Sequence, residues 1–201
     1  VNCTHNNESG NNQTIIHLGS GPFWCNLTLA PEYDSIPPEI TDNTFSSCTT
    51  GDSFTFNATV IDNIAVNNTY VEYWYGSGSH INVSMSNIAG DYWEYGIVIN
   101  NTIETLHYVI SAIDSSSNWN NTRIKNVTIV DNDKPEITNV NDLPDPQYLG
   151  GHVNITCNVT DNIAVDEVWV NITYPDNSYH NFSMMEGSYY FNQTYAMVGT
   201  Y

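Results

Sequence analysis

Apolar and polar residues alternate with a period of two along much of this chain. Phe54, Phe56, Ala58 and Val60 alternate with Thr55, Asn57 and Thr59. Val153, Ile155, Cys157 and Val159 alternate with Asn154, Thr156 and Asn158. In an extended backbone successive side chains point to opposite faces, so this pattern predicts half-buried antiparallel strands. Val168, Val170, Ile172 and Tyr174 predict a further strand, matched by Val71, Tyr73 and Tyr75. Clusters of Gly, Asn, Asp, Ser and Pro separate these segments. No stretch shows a convincing apolar stripe at helical spacing, so the expected fold class is all-β.

The chain also repeats itself. Pro38-Glu39-Ile40-Thr41 recurs at Pro135-Glu136-Ile137-Thr138, and Asp62-Asn63-Ile64-Ala65-Val66 recurs at Asp161-Asn162-Ile163-Ala164-Val165. Asn82-Val83-Ser84-Met85 is echoed by Asn181-Phe182-Ser183-Met184. The offsets of 97, 99 and 99 residues are the size of one β-sandwich module. One complete repeat is expected over 36–131. Its strands are A at Pro38–Thr41, B at Ser53–Ile61, C at Tyr70–Tyr75, and D and E around Ile81–Met85 and Tyr92–Ile99. F is expected at Leu106–Ile113 and G at Thr122–Val130.

The second repeat, 132–201, reaches Tyr201 before its F strand is due. A sandwich lacking strands F and G exposes an apolar groove and unpaired edges. The missing part is matched at the other end of the chain. Val1–His5 and Gly10–Ile15 align with Tyr108–Ala112 and Ser117–Arg123, and Asn26-Leu27-Thr28-Leu29 resembles Asn126-Val127-Thr128-Ile129. Residues 1–30 therefore read as an F–G hairpin, 31–35 as a linker. The hairpin could fold back onto its own chain if the two domains lie side by side. Donation to the next copy is simpler and gives a heterologous contact that builds an open filament. A piece cut out of phase from a longer tandem array would show the same pattern.

Composition narrows the function. There are 22 Asp and Glu against 3 Lys and Arg, a formal net charge of −19. Such a surface repels nucleic-acid phosphates and anionic lipid. Apolar runs fall far short of the roughly 20 residues that span a bilayer, so no membrane insertion is expected. There is no initiator Met and no signal-like apolar segment at Val1, so a secretion signal, if one existed, is expected to be gone already. Hydrophobic residues make up 40% and aromatic residues 12%, enough to bury a core and argue against disorder.

Asparagine usage points to the compartment. The 201 residues hold fifteen N-x-[ST] sequons, where a shuffled composition would give roughly five. They are Asn2, Asn7, Asn12, Asn26, Asn57, Asn67, Asn82, Asn100, Asn120, Asn126, Asn154, Asn158, Asn171, Asn181 and Asn192. Asn57, Asn154 and Asn158 fall on the polar phase of their strands. A densely N-glycosylated, extracellular, cell-surface location follows as an expectation, with N-linked glycans as the covalent groups carried. An asparagine-rich genome is the competing explanation of the excess. Four Cys, with no zinc-like spacing, suit disulfides in an oxidising compartment.

Short motifs carry a family resemblance. Ala112-Ile113-Asp114-Ser115-Ser116-Ser117-Asn118 resembles the A-x-D-x-x-G-N turn of immunoglobulin-like and cadherin-like modules on archaeal and bacterial surface proteins. The Pro-Glu-Ile-Thr and Thr-Asp-Asn pieces are similar to that group too. The resemblance implies tandem immunoglobulin-like β-sandwiches, an exterior location and a structural or binding role. Under the alignments above, Cys157 lies on strand B and Cys3 on strand F, the inter-sheet disulfide position of immunoglobulin domains. Both fall in the split domain, so Cys3–Cys157 is expected to be a bond between subunits. Cys25 and Cys48 are left as a weaker pair. Asp131-Asn132-Asp133 partly resembles the cadherin linker. With the linker, B–C and F–G loops at one end of a sandwich, Asp131, Asp133 and Asp161 meet there, with Glu8 from a donated hairpin. The equivalent set in the first repeat is Glu32, Asp34, Asp62 and Asp114. Hard oxygen clusters suit Ca²⁺, while Asp and Asn also cap turns unaided.

No catalytic motif stands out. The six His show no H-x-H or HExxH, and Gly76-Ser77-Gly78-Ser79-His80 reads as a hairpin loop rather than a nucleophile elbow. An enzyme is not expected. The expected function is a structural subunit of a glycosylated extracellular filament, whose partners are copies of itself joined head-to-tail. The alternative is a tandem segment of a surface adhesin or S-layer protein that binds a ligand or carbohydrate.

Overall fold

The computed structural model describes residues 34–201 together with the backbone of Gln13–His17 (β1) and Trp24–Thr28 (β2). These two strands pair antiparallel, with Gln13 opposite Thr28 and His17 opposite Trp24. The expected F-type strand at Val1–His5 lies outside the described residues. The chain then runs β3 Glu39–Asp42, β4 Ser47–Thr49, β5 Ser53–Ile61, β6 Val66–Tyr75, β7 Ile81–Ser84, β8 Ser86–Ala89 and β9 Tyr92–Val98. β10 Leu106–Asp114, β11 Trp119–Asn121 and β12 Lys125–Val130 complete the first unit. The second holds β13 Glu136–Leu143, β14 His152–Thr160, β15 Trp169–Thr173, β16 Tyr179–Ser183 and β17 Tyr190–Thr194. The described residues are all-β, in two immunoglobulin-like β-sandwich units in tandem.

In the first unit one sheet has the order β3-β5-β9-β8 and the other β4-β12-β10-β6-β7, with β11 paired to β10. The alternation read from the sequence is the one that packs. Phe54, Phe56, Ala58 and Val60 of β5 are buried, facing Val71 and Tyr73 of β6 and Leu106, Tyr108, Ile110 and Ala112 of β10. Fifteen side chains form this core, and β10 and β12 supply six of them. Full burial of such side chains contributes about 1.5–3 kcal/mol each, so these two strands carry a large share of the unit's stability.

Several boundaries differ from the sequence reading. Strand C starts at Val66, four residues earlier than Tyr70. Ile81–Ser84 pairs with β6 and so belongs to the C-strand sheet, while the D position is taken by β8. The chain changes sheet at Met85, whose buried side chain is in phase with Val83, while β8 beyond it is exposed throughout. The G strand is β12, which starts at Lys125 rather than Thr122, while β11 and β4 have no counterpart in the sequence reading. β4 is only three residues long and pairs parallel to β12, Cys48 opposite Ile129. Gly51, at φ 71°, makes the turn from β4 into β5 in a conformation that favours glycine.

The second unit repeats this plan over five strands: a sheet β13-β14-β17 and a pair β15-β16. The units meet at a polar joint. The buried Thr50 hydroxyl is 3.1 Å from Asp131 Oδ1 and 3.2 Å from Asp133 Oδ2, and accepts from Asn162 Nδ2 at 3.1 Å. Asn162 Nδ2 also donates to Asp133 Oδ2 at 2.6 Å.

Candidate functional site

Equivalent strands of the two units differ in what lies beside them. In the first, β6 has β7 on one edge and β10 on the other, paired from Leu106↔Tyr75 to Asp114↔Val66. In the second, β15 pairs with β16, and among the described residues its other edge has no partner. That leaves a row of backbone donors and acceptors free to bond another strand. Burial follows the same contrast. Phe56, Val60 and Val71 are fully buried, while Ile155, Val159 and Val170, each 99 residues on, are only half-buried. Ile99 is 2% exposed and Val198 86%. A cavity of about 980 Å³ opens between the sheets, lined by Val153, Ile155, Ile172, Tyr195, Val198 and Tyr201 among others.

Cys157 lies on the inner face of β14, buried against Met184 with Sγ 3.9 Å from its sulfur. Among the described residues neither it nor the half-buried Cys48 on β4 is bonded to another cysteine. Burial pushes the Cys48 thiol up from its ordinary range. The expected partners, Cys3 and the side chain of Cys25, lie outside the described residues.

Of the two carboxylate sets, the one in the first unit closes. Asp34, Asp62 and Asp114 each place an oxygen within 4.8 Å of the other two. Topology gathers them: Asp34 precedes β3, Asp62 follows β5 and Asp114 ends β10. Each also holds its own turn. Asp34 Oδ1 accepts from Ile36 N and from Asn63 Nδ2, and Asp62 Oδ1 from Ile64 N and Ala65 N. Asp114 is fully buried. Burial works to raise its pKa, but hydrogen bonds from the Asn118 side chain and backbone and from Ser116 N outweigh this and hold it below the ordinary carboxylate range. Asp34 Oδ2 and Asp62 Oδ2 are buried with no hydrogen-bond partner. Among the described residues no cationic side chain pairs with the three. An all-oxygen donor set of this charge suits a hard divalent cation such as Ca²⁺. Glu32 and Glu8 lie outside the described residues.

Asp131, Asp133 and Asp161 do not close in this way. Asp131 and Asp133 are bound to Thr50 and Asn162 at the joint, and Asp161 Oδ1 accepts from Ile163 N and Ala164 N in its own turn. The sequence reading missed Thr50 and Asn162 because the contact spans 112 residues. Asn162 does sit in the repeated Asp-Asn-Ile-Ala-Val motif, which is the signal that could have found it.

Eleven sequon asparagines have described side chains. Asn67, Asn82, Asn100, Asn126, Asn158, Asn171, Asn181 and Asn192 are exposed, while Asn57, Asn120 and Asn154 are half-buried. Asn120 spends its amide nitrogen on the carbonyl of Pro38 at 2.8 Å. Asn2, Asn7, Asn12 and the side chain of Asn26 lie outside the described residues. No helix among the described residues is long and apolar enough to cross a membrane.

No protein-family model matches the chain, and no curated protein matches its sequence. Among solved structures, the chain is similar to the fibronectin(III)-like modules of Clostridium thermocellum CbhA. Identity is 16%, 78% of each chain is covered, and the TM-score is 0.36.

Proposed function

We propose that this chain is a structural subunit of an N-glycosylated extracellular filament, assembled head-to-tail by β-strand complementation. The observation that carries this reading is the open edge of β15 beside an apolar cleft. Closing it takes what β10 and β12 give the first unit: strands that satisfy the backbone edge and side chains that fill the space between sheets. Residues 1–30 resemble that β10–β12 region in sequence, and β1–β2 is already an antiparallel hairpin. Cys157 lies on the inner face of β14, two residues on from the cleft-lining Ile155, so a bond to Cys3 of the next copy would lock the joint in an oxidising exterior. Its partners are then copies of itself. Ca²⁺ held by Asp34, Asp62 and Asp114 would tie the linker to the first sandwich, and glycans on the exposed sequons would cover a surface that carries little opposite-sign charge pairing.

The test is the state of the whole chain under oxidising and reducing conditions. The expected result is a ladder on a non-reducing gel that collapses to monomer with reductant, and loss of assembly on deleting residues 1–30. Alkylation of denatured, unreduced protein should find Cys157 blocked in the assembled form and free after the deletion. A single monomeric species in both redox conditions, with Cys157 reactive throughout, overturns the reading. That outcome favours a second one, a tandem segment of a surface adhesin or S-layer protein, for which the Thr50–Asn162–Asp133 joint supplies a fixed angle between neighbouring modules.

A further inference from the structure

The outer face of the β4-β12-β10-β6-β7 sheet carries one row of rings that ends at a sequon. Trp74 on β6 stacks on His80 at a centroid distance of 3.9 Å and an interplanar angle of 7°. On its other side lies His107 of β10, its direct cross-strand neighbour, at 5.4 Å and 29°. His107 is in turn directly opposite Asn126 of β12. The row therefore reads His80, Trp74, His107, Asn126 across neighbouring strands. Both ends are pinned: His80 Nδ1 is 2.7 Å from Glu72 Oε1, and His107 Nδ1 is 2.8 Å from Asn126 Oδ1.

We infer that Asn126 carries a glycan whose first sugars lie along His107 and Trp74. Three observations lead there. First, the hydrogen bond from His107 uses Oδ1 of Asn126, the oxygen that stays a carbonyl after glycosylation, and leaves Nδ2 free. Asn120 and Asn171 are the opposite case, their Nδ2 atoms donating to Pro38 O and to Asn181 Oδ1. Second, the neighbour is selective. The other described sequons with a strand partner face Glu94 (Asn57), Glu72 (Asn82), Ala112 (Asn120), Leu143 (Asn154), Thr138 (Asn158) or another sequon, as in Asn171↔Asn181 and Asn154↔Asn192. Among them Asn126 is the one set against rings. Third, the reach fits. Neighbouring strands are about 4.8 Å apart, so Trp74 is about 10 Å from Asn126, the span of the first one or two sugars. With His80 on one side of the indole and His107 on the other, the sugars meet the outward edge of the row, where ring N–H groups are donors suited to sugar hydroxyls.

The inference rests on the glycoprotein part of the proposed function and not on head-to-tail assembly. Its test uses the full chain made in an N-glycosylating host. Glycopeptide mass spectrometry should show Asn126 occupied. Thr128→Ala removes the sequon while keeping Asn126 and its bond to His107. It should lower the melting temperature of the first sandwich by about 2–4 °C. The same substitution should change little in a Trp74→Ala background, and little in protein from a host that adds no sugar. Independently, sugar protons of wild-type protein should show ring-current shifts that are lost in Trp74→Leu. An occupied Asn126 whose effect simply adds to that of Trp74→Ala, with unshifted sugar protons, overturns the inference. So does an empty Asn126 beside occupied sequons elsewhere. Sugar on no sequon removes the glycoprotein reading as well.

Discussion

Asn162 of the second sandwich donates to Thr50 of the first at 3.1 Å, although 112 residues separate them. Thr50 is 2% exposed and sits at the centre of the joint. Thr50→Val keeps the shape and removes the hydroxyl, which leaves Asp133 and Asn162 short of a partner. The expected cost is about 1–2 kcal/mol, read as a lower melting temperature of the first sandwich. The distribution of maximum dimensions in small-angle scattering should also broaden. Unchanged scattering would show that the joint is held by something other than this network.

The contrast in packing gives a paired test. Phe56→Ala should cost about 3–5 kcal/mol, as for a fully enclosed aromatic. Ile155→Ala, one repeat later, loses fewer neighbours and should cost about 1–2 kcal/mol in the isolated chain. Denaturant melts that follow each sandwich separately check this. On assembly the second cost should rise toward the first.

Tyr108 sets an alkaline limit. Its buried hydroxyl donates to Asp42 Oδ2 at 2.7 Å, and burial with that carboxylate beside it raises the phenol well above the ordinary tyrosine range. A pKa raised in the folded state means that the contribution is complete below pH 10, the unfolded value, and is lost as pH climbs beyond it. Wild-type stability should therefore fall above pH 10. Tyr108→Phe should be about 1–2 kcal/mol less stable at neutral pH and lose less over that alkaline range. Urea melts at stepped pH measure both.

The carboxylate trio predicts a metal response. Millimolar Ca²⁺ should raise the melting temperature of the first sandwich by several degrees, since a ligand that binds only the folded state stabilises it by mass action. Asp62→Asn should abolish that rise, and excess chelator should return wild-type protein to the baseline. No Ca²⁺ dependence in wild type would leave these residues as turn caps alone.

Sequon occupancy should follow the structure. The eight exposed described sites should be modified more completely than Asn57, Asn120 and Asn154. Asn120 is expected lowest, because its nitrogen already bonds Pro38 O. Site-by-site glycopeptide mapping checks the order.

What could be read in the sequence depended on how local the determinant was. β5 appears with the expected ends, Ser53 and Ile61, because its alternation runs unbroken over nine residues. The Asp34, Asp62, Asp114 set was legible because sandwich topology alone brings a linker and two loops to one end. β4 was not, since three residues show no period, and its pairing with β12 is a long-range event. Nor was the chain's change of sheet at Met85, since β8 beyond it is exposed along its whole length and shows no alternation to read. The ring row was invisible for a different reason: His80, Trp74, His107 and Asn126 become neighbours through register, and register is fixed by partners far away in the sequence.

The parallel pairing of β4 with β12 has a mechanical consequence. The chain enters the first sandwich through β3, continues into β4 and leaves at the end of β12, and β4 and β12 run in the same direction through Ser47↔Thr128, Cys48↔Ile129 and Thr49↔Val130. Once β3 is drawn off β5, tension along the chain drags β4 by its beginning and β12 by its end. The bonds between them, such as Thr128 N to Ser46 O and Thr50 N to Val130 O, are then strained together in shear. They do not open one at a time like a zip. A unit wired this way resists a steady pull far better than its modest three-residue strand suggests.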